Sequence, residues 1–266
     1  MTDVSASENW PVKAYKNLDF LQSPEARSIR VQCELTEPLH RLRNNGIHNT
    51  IVFFGSARTK LPSEAKTVAE KMSCKYYEAA RDLARLMTEW SEQIQEPKYR
   101  YYVCSGGGPG IMEASNRGAA DVDGKNIGLG ISLPFEQSNN SFITPELDFE
   151  FHYFFVRKYW FTYLAKALVV FPGGFGTMDE LFENLTLVQT QKIRKKMPIV
   201  LFGSEFWRDI LNFDSFVKWG VISESDLNLF KFIDSVPEAH RYLVDQINRL
   251  HLEYHKGVDP LPGPIA

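Results

Sequence analysis

Three short glycine-bearing stretches have the residue types that bind an anion through the backbone. They are Gly55-Ser56-Ala57-Arg58, Ser105-Gly106-Gly107-Gly108-Pro109-Gly110 and Pro172-Gly173-Gly174-Phe175-Gly176-Thr177. Glycine lets backbone N–H groups approach a ligand, and the unpaired N–H groups and dipole of a following helix favour negative charge. The last two stretches lead directly into segments of helical character. One alone would be a tight strand-to-helix turn, but two at adjacent strand ends predict a site for a phosphate and its sugar.

Four charged residues near the third stretch are candidates for chemistry on such a ligand. Asp179 and Glu180 fall in the first turn of a helix predicted to open at about Thr177, where carboxylates complement the dipole. Adjacent helical residues diverge by about 100°, so at most one of them faces the ligand, and the pattern does not decide which. Arg157-Lys158 begins another predicted helix, where positive charge opposes the dipole. Binding of a phosphate by this pair, or pairing with Glu180, would offset that cost. The alternative is that Arg157 and Lys158 are ordinary solvated surface charges.

The glycine stretches differ from the standard dinucleotide and triphosphate motifs. In G-x-G-x-x-G the third glycine would fall at Ile111 or at Glu113, depending on the starting residue. The P-loop pattern also fails, because Gly124-Lys125 is followed by Asn126 and Ala119 stands where the first glycine is needed. A classic NAD site and a P-loop NTPase are therefore both disfavoured.

The elements that must position these residues alternate between strands and helices from Thr50 onward. Short runs rich in Val, Ile and Phe, with little strict alternation, are typical of strands buried on both faces. They lie at Ile51–Phe54, Tyr101–Cys104, Ile127–Leu133, Phe149–Phe155, Ala167–Phe171, Pro198–Phe202 and Phe230–Ile233. Helices are predicted at Ser63–Glu96, Ile111–Asp121, Arg157–Ala165, Thr177–Gln191, Glu205–Lys218 and Glu238–His255. This alternation predicts an α/β fold with a Rossmann-like parallel sheet and helices on both faces, whose ligands bind beyond the carboxyl ends of the strands.

The chain is predicted to have one large domain between a polar N-terminal segment and a short tail. Within residues 1–48, apolar spacing predicts a helix over residues 24–45 that stops at Gly46, although Pro38 could kink or split it. We predict that this segment is a helical extension packed on a single Rossmann-like domain over residues 49–257. Residues 258–266 hold three prolines and are predicted to form a loose tail.

Composition narrows the class of protein. The 266 residues carry 30 Lys and Arg against 33 Asp and Glu, a net charge of −3, which argues against binding nucleic acid through a basic face. The three cysteines form no C-x-x-C pair and favour a reducing compartment. No apolar run approaches the roughly 20 residues of a membrane span, and the polar N-terminus does not resemble a signal peptide. A cytoplasmic protein that binds neither membrane nor nucleic acid is expected.

Two histidines and one cysteine are interpreted structurally. His251 and His255 stand four residues apart, as zinc ligands can, but Leu252 occupies the position of Glu in H-E-x-x-H and no third ligand is evident. We predict a solvated helix face there and no metal. Cys104 is predicted to be a buried strand residue, since no nearby histidine would activate it. The aromatic segment 149–161 is predicted to be mostly core or subunit interface.

Taken together, these stretches resemble the motifs of the LOG (Lonely Guy) family, long mislabelled as lysine decarboxylases. The stretch from Gly106 to Met112 is similar to the family's first motif, and Pro172 to Glu180 resembles its signature P-G-G-x-G-T-x-x-E. Arg157-Lys158, 23 residues before Glu180, has the spacing of the family's Arg-Lys pair. Residues 55–58 resemble the family's first strand end. The resemblance covers about residues 50–235, and the helical extension is similar to that of longer members.

The resemblance implies a function and a set of site residues. The activity would be cleavage of the N-glycosidic bond of a nucleoside 5′-monophosphate, of the AMP or cytokinin riboside 5′-monophosphate type, to free base and ribose 5-phosphate. Arg157 and Glu180 would be the catalytic pair, no cofactor would be needed, and a homodimer or larger homo-oligomer would hold its sites near the subunit interface. The candidates for binding substrate and phosphate are Gly55, Ser56, Arg58, Gly106, Gly107, Gly108, Gly110, Met112, Lys158, Gly173, Gly174, Phe175, Gly176, Thr177, Met178 and Asp179.

The chemistry of that bond agrees with a catalytic carboxylate. Cleavage passes through an oxocarbenium-like sugar, which a carboxylate can stabilise or supply with an activated water, by analogy with O-glycoside hydrolysis. We predict this role for Glu180, ionised because of its place at a helix N-terminus. Arg157 would orient the phosphate-bearing substrate or hold Glu180 through a forked hydrogen bond. No residue is evident as the acid that protonates the leaving base.

Two other functions compete with this hypothesis. An amino-acid decarboxylase would need a pyridoxal phosphate lysine with an acidic partner for the ring nitrogen, and nothing around Lys158 or Lys166 has that pattern. The alternative from another class is a nucleotide-binding sensor or carrier without turnover, which the absence of Arg157 or Glu180 would favour. Both residues are present. The base pocket is expected from residues 134–146 and the aromatic segment, which contain no base-specific pattern.

Overall fold

The chain folds around a seven-stranded, all-parallel sheet with the strand order β4-β3-β2-β1-β5-β6-β7. The structure is a computed structural model that describes residues 10–132 and 138–252. The strands are β1 Thr50–Phe54, β2 Tyr102–Ser105, β3 Asn126–Ile131, β4 Asp148–Phe151, β5 Ala165–Val170, β6 Ile199–Phe202 and β7 Lys231–Ile233. The helices are α1 Leu18–Gln22, α2 Arg27–Asn44, α3 Val68–Ser73, α4 Lys75–Glu92, α5 Ile111–Ala120, α6 Phe154–Tyr163, α7 Phe175–Gln189, α8 Ser204–Ile210, α9 Phe213–Lys218 and α10 Val236–Ile247. The predicted α/β class is confirmed.

Helices cover both faces of the sheet because successive strand residues are buried on opposite sides. In β1, Ile51 and Phe53 belong to a core shared with α4, α5 and α10. Val52 and Phe54 belong to a second core, shared with α6, α7, α8 and α9. All five β1 residues are buried, which explains why the strand has no polar alternation.

The chain reverses its direction of travel across the sheet at β1. Strands β2, β3 and β4 lie on one side of it, and β5, β6 and β7 lie on the other. The loops that follow β1, β2 and β5 therefore leave the same edge of the sheet side by side. Ligands of open α/β sheets bind at such a reversal point, beyond the carboxyl ends of the strands.

Several predicted boundaries differ from the structure. The predicted helix over residues 63–96 is divided into α3 and α4 at Cys74, and the one over residues 205–218 is divided into α8 and α9 by an extended Leu211. The predicted strand over residues 149–155 is wrong in its second half, since β4 ends at Phe151 and α6 begins at Phe154. An unbroken apolar run continues from the strand into the helix, and periodicity does not separate the two.

The N-terminal segment forms the short helix α1 and the long helix α2. Pro38 is buried inside α2 and does not split it. The predicted stop is confirmed: Gly46 has φ +73°, and the N–H groups of Ile47 and Gly46 donate to the carbonyls of Leu42 and Arg43 in a Schellman motif. The division at residues 48/49 stays a prediction. The described residues do not include the tail over residues 258–266, Leu133, residues 134–137 of the expected base pocket, or His255.

The predictions for Cys104 and His251 have different outcomes. Cys104 is buried in β2 as predicted, and burial raises the pKa of its thiol. The solvated face predicted for His251 is wrong, because the chain continues from α10 into a π-helical turn, Asn248–Leu252, that places this side chain inside.

Residues 10–132 and 138–252 contain no cluster of three His, Cys, Asp or Glu residues that could hold a metal ion. Within the same ranges, every helix is too short or too polar to cross a bilayer.

Candidate functional site

A cleft of about 750 Å³ lies where the loops after β1, β2 and β5 meet. Two backbone hydrogen bonds join these loops: the Ser56 N–H donates to the Pro172 carbonyl at 3.0 Å, and the Ile111 N–H donates to the Ser56 carbonyl at 3.1 Å. Gly110 has φ +70°, and a Cβ there would overlap the Ser56 carbonyl oxygen. Only glycine fits this position, so the three stretches form one connected backbone surface.

Most of the predicted site residues line this cleft. Those at its wall are Gly55, Ser56, Arg58, Gly106, Met112, Arg157, Gly173, Gly174, Phe175, Gly176, Thr177, Met178, Asp179 and Glu180. Gly107, Gly108, Gly110 and Lys158 are predicted residues that are not part of the wall, and the three glycines are buried. Apolar side chains complete the wall. Phe154 and Phe161 belong to the aromatic segment from which part of the base pocket was expected. Phe54, Ile131, Phe206 and Ile210 were not singled out as site residues.

The glycine loop after β2 is held from behind by a polar network. Ser105 Oγ accepts a hydrogen bond from the Gly107 N–H at 3.0 Å and donates to Asn116 Oδ1 at 2.6 Å. Asn140 Nδ2 donates to the Gly107 carbonyl at 2.9 Å and to Asn116 Oδ1 at 3.0 Å. Sequence reasoning missed both asparagines. A buried asparagine inside α5 was the available signal, because this residue is unfavourable in a helix interior unless it has a specific partner.

The glycine loop after β5 opens directly into α7. The helix begins at Phe175, two residues before the predicted start, and no described side chain caps its N-terminus. Gly174, Phe175 and Gly176 are all exposed, and Phe175 is 96% exposed. The first-turn N–H groups at this edge of the cleft are thus accessible to a ligand, and they favour an anion.

Glu180 is a buried carboxylate at the wall of the cleft. It is 7% exposed, its Oε1 lies 3.3 Å from Lys158 Nζ, and its Oε2 has no hydrogen-bond partner among the described residues. The prediction that the helix N-terminus ionises it is wrong, because Glu180 lies in the second turn of α7. Burial raises its pKa, while the charges of Lys158 and Arg157 act in the opposite direction.

Lys158 binds three carboxylates of α7. Its Nζ lies 2.6 Å from Glu183 Oε2, 2.9 Å from Asp179 Oδ2 and 3.3 Å from Glu180 Oε1. Burial acts to lower the pKa of Lys158, but hydrogen bonds with Asp179 and Glu183 and the charge of Glu180 raise it overall. Lys158 is therefore engaged by carboxylates, including that of Glu180, which lines the cleft.

Arg157 contacts the other glycine loop. Its Nε donates to the Leu129 carbonyl at 2.7 Å and its Nη2 to the Gly106 carbonyl at 3.4 Å, with the Phe161 ring 5.0 Å away. A Cβ on Gly106 would lie 2.6 Å from Arg157 Nη2, so the glycine makes room for the guanidinium. The predicted helix start at Arg157 is wrong, because α6 begins three residues earlier at Phe154. Arg157 is therefore three residues further from the positive end of the helix dipole than predicted, and the unfavourable interaction of its charge with that dipole is smaller.

The parallel sheet and this cleft together define a Rossmann-like α/β protein with an anion-accessible site at its reversal point. A family model described as "Possible lysine decarboxylase" matches residues 112–243. The chain belongs to this family, the LOG family whose motifs the sequence resembles.

Curated relatives and a solved structure are similar to parts of this chain. Pyrimidine/purine nucleotide 5′-monophosphate nucleosidases from Escherichia coli strains K12 and O157:H7 are each 28% identical over 156 residues. That alignment covers 53% of this chain and 33% of each relative, so the chain spans about a third of their length. The X-ray structure of TM1055 is 17% identical, with a TM-score of 0.49, and the match covers 74% of this chain and 99% of that one.

Proposed function

We propose that the protein hydrolyses the N-glycosidic bond of a nucleoside 5′-monophosphate to free base and ribose 5-phosphate. The observation that carries this proposal is the Oε2 of Glu180, a buried carboxylate oxygen at the wall of the cleft that has no hydrogen-bond partner within residues 10–132 and 138–252. Buried acceptors are costly without a donor, and a water molecule or a ribose hydroxyl would supply one. The name of the Escherichia coli relatives, nucleosidases of nucleotide 5′-monophosphates, agrees with this class of substrate.

The phosphate is assigned to the N-terminus of α7. Gly174, Phe175 and Gly176 present accessible backbone there, and none of the side chains that the structure describes caps the first-turn N–H groups. A 5′-phosphate would accept hydrogen bonds from these groups and would interact favourably with the helix dipole. A nucleoside that lacks the phosphate loses these contacts, so we expect monophosphates to be strongly preferred.

Glu180 is assigned to the reacting carbon. The C1′–N bond breaks with its electron pair going to the base, the water oxygen bonds to C1′, and Glu180 accepts one proton of that water. The departing base takes up a proton from solvent to become the free base, and Glu180 returns its proton to solvent. Lys158 lowers the pKa of Glu180 against the larger effect of burial, which raises it, and holds the side chain in place through the 3.3 Å contact. Arg157, whose guanidinium lies at Gly106, orients the substrate from the opposite glycine loop. No cofactor takes part in this hydrolysis.

The base is assigned to the apolar part of the wall. Phe154 and Ile210 are large apolar side chains that line the cleft while more than half exposed, and Phe206 lies beside them on α8. Aromatic and aliphatic walls favour a flat, weakly polar ring. AMP and a cytokinin riboside 5′-monophosphate both satisfy this requirement, so the choice between them is an experimental one.

The test is release of free base, followed by chromatography, from AMP, GMP, CMP and a cytokinin riboside 5′-monophosphate. The corresponding nucleosides serve as substrate controls. Glu180→Gln keeps the shape of the side chain but accepts no proton, so we expect kcat to fall about a thousandfold. Glu205→Gln removes an exposed carboxylate on α8 and is the matched control.

Each outcome of this test has a distinct meaning. Base released from monophosphates but not from nucleosides, and lost in Glu180→Gln, supports the proposal and identifies the preferred base. Nucleotide binding without release of base by the wild-type protein overturns it in favour of a sensor or carrier. Equal activity of Glu180→Gln and wild type excludes the assigned role of the carboxylate.

We also infer a homodimer or larger homo-oligomer. Apolar side chains are exposed along α6 and α7, where Phe155 is 57% and Tyr159 is 43% exposed. On α7, a mostly apolar groove of about 500 Å³ lies beside Phe182. Exposed apolar patches of this kind mark protein interfaces. Light scattering coupled to size-exclusion chromatography measures the mass directly, and a monomer at micromolar concentration would contradict the inference.

A further inference from the structure

One acidic residue of the N-terminal extension, Glu34, contacts α6 at two levels. Its carboxylate accepts hydrogen bonds from the His152 N–H at 2.9 Å (Oε1) and from the Tyr153 N–H at 3.2 Å (Oε2). The indole N–H of Trp160, almost two turns further along α6, donates to the Glu34 carbonyl at 2.9 Å. Side chain and backbone of one residue therefore bind both the start and the middle of α6.

The carboxylate supplies a cap that α6 lacks in its own sequence. Tyr153 is the N-cap residue, and its side chain makes no capping hydrogen bond. In a capping box, the third helical residue is Glu or Gln and accepts a hydrogen bond from the N-cap N–H. Val156 occupies that position in α6 and has no acceptor. Glu34 performs this part of the capping box from another helix, and its negative charge is favourable at a helix N-terminus.

Two arginines of α2 bind the same region. Arg30 Nε donates to the Tyr153 hydroxyl at 3.3 Å. Arg41 donates to the Asp148 carbonyl at 3.0 Å and lies 3.9 Å from the centre of the Phe149 ring. The helix thus contacts both β4 and the turn that leads into α6.

The start of α6 is one turn away from the proposed catalytic groups. The Arg157 N–H donates to the Tyr153 carbonyl at 3.1 Å, so a shift of the N-cap residue moves Arg157 directly. Lys158, the next residue, holds Glu180. The glycine stretch of residues 173–176, by contrast, follows β5 and does not belong to α6.

We propose that Glu34 is a positioning residue that fixes α6 so that Arg157 and Lys158 stay beside Gly106 and Glu180. This inference rests on the proposed function, because the groups it positions belong to that site. It assigns the extension a role in turnover. Loss of the cap affects kcat more than KM, because the phosphate is bound by backbone of another loop.

The experiment compares Glu34→Ala and Glu34→Gln with Glu37→Ala. Glu37 lies one turn further along α2, is exposed and pairs with Arg41, which makes it a matched control. In folded Glu34→Ala we expect kcat for the preferred monophosphate to fall about tenfold to a hundredfold, and KM to change less than about threefold. Glu34→Gln is intermediate, since the amide oxygen still accepts one of the two N–H groups. Glu37→Ala keeps the wild-type kcat.

Hydrogen–deuterium exchange provides a readout that needs no activity. We expect residues 152–160 to exchange faster in Glu34→Ala than in Glu37→Ala and the wild type. Folded Glu34→Ala with a kcat within about twofold of wild type overturns the positioning role. Equal exchange in both variants also overturns it. A wild-type protein that releases no base contradicts the proposed function instead, and the exchange data then still decide whether Glu34 fixes α6.

Discussion

The two glycine-rich loops of the cleft are alike in sequence and differ in what surrounds them. The loop after β2 is buried, and Ser105 and Asn140 bind its backbone from behind. The loop after β5 is exposed at Gly174 and Gly176, where a Cβ would meet nothing within 4 Å, whereas a Cβ on Gly173 would overlap the Thr177 side chain. Glycine in the first loop permits close packing of backbone against backbone and of Gly106 against Arg157. In the second loop it leaves open space at a helix N-terminus.

This difference separates two reasons for using the same residue. In the buried loop, an added methyl group collides with the protein itself, so the cost falls on folding. At Gly174 and Gly176 of the exposed loop, the methyl group occupies space that the proposed phosphate would use, so the cost falls on binding. Substitutions in the two loops should therefore change different measured quantities.

The largest effect is expected from Gly110→Ala. Its φ of +70° and the overlap of a Cβ with the Ser56 carbonyl oxygen make alanine strained and force the two loops apart. We expect the free energy of unfolding to fall by about 3 kcal/mol, measured by urea denaturation. Gly174→Ala, at φ −91° and in open space, is the control. A loss below about 1 kcal/mol in Gly110→Ala would break the comparison.

Gly176→Ala should weaken substrate binding and leave the stability of the fold intact, the reverse of Gly110→Ala. Gly176 lies in the first turn of α7, where alanine has the higher helix propensity, so stability stays level or rises by up to about 1 kcal/mol. The methyl group lies in the cleft beside the proposed phosphate. We expect KM for the preferred monophosphate to rise about tenfold, a loss of about 1.4 kcal/mol of binding. An unchanged KM would place the phosphate elsewhere.

The smallest effect is a shift of pH dependence in Lys158→Met, at the charged cluster between the loops. Lys158 lowers the pKa of Glu180, which burial raises, so its removal raises that pKa further. In the proposed mechanism the active form is the carboxylate, so the acid limb of kcat/KM should move to higher pH. Lys158→Arg, which keeps the charge, should leave the limb near its wild-type position. If the acid limb of kcat/KM does not move in Lys158→Met, Lys158 does not control the ionisation of Glu180.

The prediction of the site from sequence succeeded where neighbours in the chain are also neighbours in space. Gly173 to Glu180 form one loop and one helix, and most of this stretch lines the cleft. Prediction failed for the environment of single side chains. Glu180 was assigned to the first turn of a helix and is instead buried in the second, where desolvation acts on its pKa. Burial depends on what packs over a residue, which its own segment does not encode.

The sequence by itself determined the α/β class, the parallel sheet and the three glycine stretches at strand ends, because apolar runs and glycines act through local backbone conformation. Only the tertiary structure decided that Lys158 binds three carboxylates, that Arg157 reaches Gly106 and that Glu34 caps α6. Glu34 and Tyr153 are 119 residues apart in the chain. Contacts over such separations depend on the strand order and helix packing of the whole sheet, which no local pattern of residues specifies.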